Sequence, residues 1–275
     1  MAVYLVFALA AAIVIALIYW PLRRLRRRRA LAERPLPARW EQWLRRRWWL
    51  YPHLPGDVRV RLHRQLQVMM EATDFYGCNG LTVTEPMRVL ILAQASLMNA
   101  GSGHMQWSGF PVVLVYPEAF VREGEVMDEL GLVSYERHEL LGESWEQGKV
   151  VLSWADIEQD LARPDGHCLV VHEYAHQLDG RDGVMDGTPP MPEPSQVQRW
   201  ARAMTPAFDD LCDRLDRHEP PPIDPYAATN PGEFFAVVSE HFFTCPDLLN
   251  DAYPDVYREL EHFYRLQPRR WNHPV

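Results

Sequence analysis

Two histidines four residues apart, His172 and His176, stand in a largely apolar run from Leu169 to Asp179, with Glu173 beside the first. A chain cannot bury two imidazoles and a carboxylate in such a run without giving them partners, because an unpaired polar group costs roughly 2–7 kcal/mol to dehydrate. The flanking Val170, Val171, Ala175 and Leu178 predict a buried helix. On a helix of about 3.6 residues per turn, positions i and i+4 share a face, so both rings can meet one metal ion. With 11 histidines and 37 acidic residues among 275 positions, random placement yields at most about 0.06 His-Glu-x-x-His matches.

That arrangement suits zinc. A catalytic zinc takes three protein ligands and leaves a fourth position for water, whose pKa falls to roughly 7. Glu173, about 100° round the helix from His172, is placed to act as general base rather than as a ligand. The chemistry this predicts is metal-assisted hydrolysis. One zinc subclass has a glycine and a histidine three and six residues after the second histidine, but Asp179 and Asp182 occupy those places. A glutamate from a later helix is the other common third ligand. The apolar-periodic stretch Asn230 to Phe243 offers Glu233 and Glu240, seven apart and roughly on one face. Glu233 also sits where a helix start beginning at Asn230 and Pro231 would use it in a capping box. Glu240, among Val237, Phe242 and Phe243, is expected to be buried, either as an alternative ligand or hydrogen-bonded to a ligand histidine. Asp179 either orients a ligand ring or ends the helix before Gly180.

Several separated segments, Leu140 to Trp145, Val151 to Trp154, His172 to Asp179, Asp224 to Ala228 and Asn230 to Phe243, together resemble the Mlc titration factor A family of zinc-dependent peptidases. The resemblance runs over about residues 48–275. It implies a zincin-like domain binding one catalytic zinc, with His172, His176 and Glu233 as ligands and Glu173 as general base. Tyr226 matches a family tyrosine seven residues before that glutamate, and a phenol near the metal can hydrogen-bond an oxyanion; as an ordinary loop aromatic it would have no such role. The resemblance further implies aminopeptidase-like action on short peptides. Because the family is named for sequestering a transcriptional repressor, it also admits an alternative: a regulatory binding protein with a structural or vestigial zinc site.

Residues 1–20 contain no charged side chain and as a helix would span about 30 Å, which predicts a transmembrane anchor. Arg23, Arg24, Arg26, Arg27, Arg28 and Arg29 follow, and the positive-inside rule places them in the cytoplasm. The expected location is therefore the cytoplasmic membrane, single-pass, with the N-terminus outside and the catalytic domain in the cytoplasm. Residues 21–47 read as a basic, Trp/Arg-rich juxtamembrane linker. Trp40, Trp43, Leu44 and Trp48 form one helical stripe there, suited either to anionic lipid or to packing on the domain. The chain's net charge is −9, and more negative once the six arginines are set aside, which argues against direct nucleic-acid binding.

Residues 48–275 are long enough for one sizeable core and read as a single zinc peptidase domain. Cys78, Cys168, Cys212 and Cys245 form no C-x-x-C pair, so neither a disulfide framework nor a cysteine zinc site is indicated. Helices are expected near 57–73, 85–99, 195–216, 231–244 and 254–266. Strands are expected at 112–116 and 150–153, the latter either a substrate-pairing edge or an interior strand. The Gly-, Pro- and Asp-rich loop 180–194 is expected to rim a cleft. The class is α+β, mostly helical with a small sheet, preceded by one transmembrane helix.

Overall fold

The computed structural model describes residues 26–101, 112–118 and 148–271, with Tyr4, Tyr19 and Arg23 alone before them. Residues 140–145, one of the segments carrying the family resemblance, lie outside the described residues.

Helices and sheet alternate along the chain. Helix α1 (Ala38–Arg47) and helix α2 (Gly56–Ala72) precede β1 (Phe75–Gly77), α3 (Glu85–Met98), β2 (Val112–Tyr116) and β3 (Lys149–Ser153). Then come α4 (Trp154–Ala162), α5 (Leu169–Asp179), α6 (Pro194–Asp216), α7 (Pro231–Thr244), α8 (Pro246–Ala252) and α9 (Pro254–Tyr264). This is the expected mostly helical α+β domain. Proline opens each of the last four helices. At the first helical position its missing N–H costs nothing and its fixed φ suits the turn, so these boundaries are written locally.

The three strands form a parallel sheet in the order β1-β2-β3, with Val113 opposite Val150 and Val115 opposite Leu152. Among the described residues β3 is an edge strand. Val113, Val115, Val150 and Leu152 are buried, and α5 packs next to β3. Strand β1 escapes the sequence because three residues are too few to show alternation; its pairing with β2 makes it a strand. Helices α4 and α8, of nine and seven residues, were likewise too short for a periodic signal.

Helix α7 is the centre of the molecule. Every residue from Gly232 to Thr244 is buried, as expected of a helix that is apolar nearly all round. Phe235 meets Trp200 of α6 with ring centroids 5.4 Å apart, and Phe242 meets Tyr257 and Tyr264 of α9 at 5.3 and 5.4 Å. Helix α5 packs along α7, and this pairing carries the site described below.

Helix α1 joins the same core. Leu44 and Trp48 belong to the buried core and Trp40 and Trp43 pack against that core, while the Trp40 indole N–H donates to Glu85 and that of Trp49 to the Asp160 carbonyl, at 2.9 and 3.2 Å. Of the two uses open to this tryptophan stripe, the structure shows packing on the domain.

The membrane placement is corrected. Among the described residues no helix is long and apolar enough to cross a membrane, which overturns a single-pass location at the cytoplasmic membrane. The expected span, residues 1–20, lies outside the described residues apart from Tyr4 and Tyr19. The longest described helix, α6, has 23 residues, but it buries only one face, through Trp200, Ala203, Met204, Ala207 and Leu211. A helix with a charged opposite face is built for a protein core, not for lipid on all sides.

Candidate metal centre

Helix α5 contributes His172, Glu173 and His176, all buried. The i, i+4 spacing stacks the two rings edge-on, with centroids 4.7 Å apart, and brings their Nε2 atoms to 3.1 Å. From α7, Glu233 Oε2 lies 3.1 Å from His172 Nε2 and 3.3 Å from His176 Nε2. Three donor atoms thus form a small triangle. An ion binding tetrahedrally at about 2.0–2.1 Å sets neighbouring ligand atoms roughly 3.3–3.4 Å apart. The triangle is within a few tenths of an ångström of that size, and two imidazoles with one carboxylate form a donor set typical of zinc. His172, His176 and Glu233 can therefore hold a metal ion.

The helix start at α7 explains how Glu233 is free to do this. Asn230 caps the helix by accepting the backbone N–H of Glu233 at 3.0 Å. The cap uses the main chain, and the Glu233 carboxylate turns to the histidines instead.

Glu240 lies outside the triangle. Its Oε1 is 2.8 Å from His172 Nδ1, on the opposite side of the ring from Glu233, and its Oε2 accepts the backbone N–H of Cys168 at 2.5 Å. Of the two positions open to it, the structure brings Glu240 to the Nδ1 side of the His172 ring.

Tyr226 sits on a short 3-10 turn, Pro225–Ala228, that Asp224 caps by accepting the Tyr226 N–H at 2.8 Å. Its ring centroid is 6.1 Å from that of His172, so the expected tyrosine does border the site. Asp179 is the last residue of α5 and is buried. Its Oδ2 accepts the Gly187 N–H at 2.9 Å, tying the 180–194 loop to α5. Gly187 has φ +77°, and a Cβ there would lie 2.3 Å from the Pro231 carbonyl oxygen, so a larger residue would push this loop off the start of α7.

One residue sequence reasoning missed is Asp160 of α4. Its Oδ2 accepts the Leu169 N–H at 2.7 Å, satisfying a donor at the start of α5 that the N-cap residue, Cys168, leaves uncapped. An acid between the buried Ile157 and Leu161 was the available signal.

The charges are arranged for a cation. Burial pulls His172 down, but hydrogen bonds to Glu233 and Glu240 outweigh it and raise the ring to about 10. At His176 burial wins over Glu233 and lowers the ring to about 4. Burial pushes Glu233 up, yet the two rings hold it well below the usual carboxylate range. Two buried carboxylates therefore surround a single cationic ring, an excess of negative charge that a divalent ion would neutralise.

Residues 22–265 match the Glucose-regulated metallo-peptidase M90 family. The chain belongs to that family. An uncharacterized protein of Synechocystis sp. is 36% identical over 244 residues, 88% of this chain and 89% of the relative. Proteins named Mlc titration factor A from Yersinia pestis (strain Pestoides F) and from Yersinia pseudotuberculosis serotype O:1b are each 38% identical over 217 residues, 75% of this chain and 78% of theirs. The M90 match spans α1 through α9, so the helix that carries the tryptophan stripe falls inside the family region.

Proposed function

We propose that this M90 chain is a zinc-dependent peptidase in which His172, His176 and Glu233 hold one zinc ion. The observation that carries this reading is the meeting of three donor atoms from α5 and α7 within 3.1–3.3 Å of one another. When bound, the ion supplies Lewis acidity and lowers the pKa of a water to about 7. Glu173, beside His172 and buried, takes a proton from the attacking water and passes it to the leaving amine nitrogen. Tyr226 donates its phenol hydrogen to the carbonyl oxygen as that oxygen becomes anionic. Strand β3, an edge strand among the described residues and next to α5, pairs with an extended peptide through main-chain hydrogen bonds.

The test is hydrolysis of a mixed peptide library by the full chain, zinc-loaded, chelated and as Glu173→Gln, with bound zinc counted in parallel. Zinc-dependent cleavage that falls at least about 100-fold in Glu173→Gln, with zinc retained, is the expected result. One bound zinc with no cleavage of any peptide would reject the peptidase reading.

A second reading draws on the name of the Yersinia relatives, Mlc titration factor A: a role in binding a transcriptional regulator. It predicts a stable complex that Glu173→Gln leaves intact, and co-purification of the variant with a DNA-binding regulator would favour it.

A further inference from the structure

Helix α5 begins without a cap of its own. Cys168 offers no side-chain hydrogen bond to the first turn, and its thiol instead contacts Gln94 Oε1 at 3.1 Å. Two carboxylates from other helices take over: Asp160 accepts the N–H of Leu169 and Glu240 that of Cys168. Only Glu240 does something more. Its other oxygen meets His172 Nδ1 at 2.8 Å, so one side chain ties the start of α5 and the His172 ring to the helix that bears Glu233.

The two oxygens have different consequences. An ionised carboxylate only accepts hydrogen bonds, and the His172 ring, cationic without metal, must be neutral to bind one, with its proton on one nitrogen. Next to Glu240 that nitrogen must be Nδ1, which leaves the Nε2 lone pair directed at His176 and Glu233. Without this contact the ring could turn or carry the proton on Nε2, and the donor triangle would lose a corner. Both neighbours of Glu240 are donors, so a glutamine, with one acceptor oxygen and one N–H donor end, leaves one of them opposed by another donor.

We infer that Glu240 is a positioning residue for the metal, fixing the tautomer and direction of His172 while anchoring the start of α5. This rests on the reading of His172 as a zinc ligand. Outer carboxylates of this kind typically change metal affinity 10–100-fold when removed.

The test compares zinc affinity, by competition with a chromophoric chelator, for the full-length wild type, Glu240→Gln and Asp160→Ala, with thermal unfolding of each metal-free protein. Asp160→Ala removes a hydrogen bond at the same helix start without touching His172. The expected result is a 10–100-fold loss of affinity in Glu240→Gln and less than about a threefold loss in Asp160→Ala. Equal losses in the two, or none in Glu240→Gln, would overturn the inference and leave Glu240 a helix cap. Failure of the wild type to bind zinc would instead reject the ligand assignment itself. A readout that needs no variant is the long-range 1H–15N spectrum of the zinc-loaded wild type. It should show a protected Nδ1–H on His172, and ligation through Nδ1 would overturn the inference even if Glu240→Gln does not fold.

Discussion

Glu233 has two tasks at one position, and they use different atoms. Its backbone N–H completes the Asn230 cap, while its carboxylate spans the two histidines. This separates the effects of a substitution. Glu233→Ala keeps the cap and removes one corner of the donor triangle, so it should fold and fail to retain zinc through dialysis, as metal analysis of the purified protein would show. Retention of one zinc would transfer the third ligand to another carboxylate. The contrast with Glu240 is instructive: both are glutamates of α7, both are buried, and both touch His172. They differ in which ring nitrogen they meet, which no spacing rule could tell.

At the scale of the elements, α5 depends on its neighbours. It is 11 residues long, too short to be stable alone, so its start must be held by tertiary contacts. Asp160 is one of them, and its burial raises its carboxyl from 3.8 to about 7, against the Leu169 hydrogen bond that lowers it. An acid with a raised folded pKa favours the folded state while protonated. Its contribution is complete below about pH 3.8 and is lost as pH rises through about 7. Asp160→Asn still accepts the Leu169 N–H but does not titrate. Wild type should therefore lose stability relative to Asp160→Asn between pH 4 and 7, at most about 1.4 kcal/mol per pH unit. Denaturant unfolding at several pH values measures this, and a constant difference would show that Asp160 is ionised throughout.

In the whole molecule, the metal site joins α5 to α7 across 57 residues of chain, the separation of His176 and Glu233. Zinc that binds only the folded protein should stabilise it by mass action, about 4 kcal/mol when free zinc is 1,000 times its dissociation constant. Chelation should accordingly lower the thermal midpoint, and zinc should restore it; a midpoint indifferent to chelator would mean that the α5–α7 pair does not bind the ion tightly. The same long-range packing decides what the N-terminal tryptophans do. Their stripe suited lipid as well as protein, and only residues far along the chain, Glu85 of α3 for Trp40 and Asp160 of α4 for Trp49, supply the partners that hold this segment on the domain.

What the sequence determined by itself was local. The i, i+4 histidines, the proline helix starts and the Asn230 cap are each readable within one or two turns, because helix geometry repeats over that distance. The family was also legible, in separated motifs kept in order. Tertiary structure alone decided which glutamate reaches the Nε2 face of His172, that Asp160 closes the start of α5, and that β1 is a strand. These contacts join residues that local periodicity does not relate, and they exist only once α5, α7 and the sheet have packed.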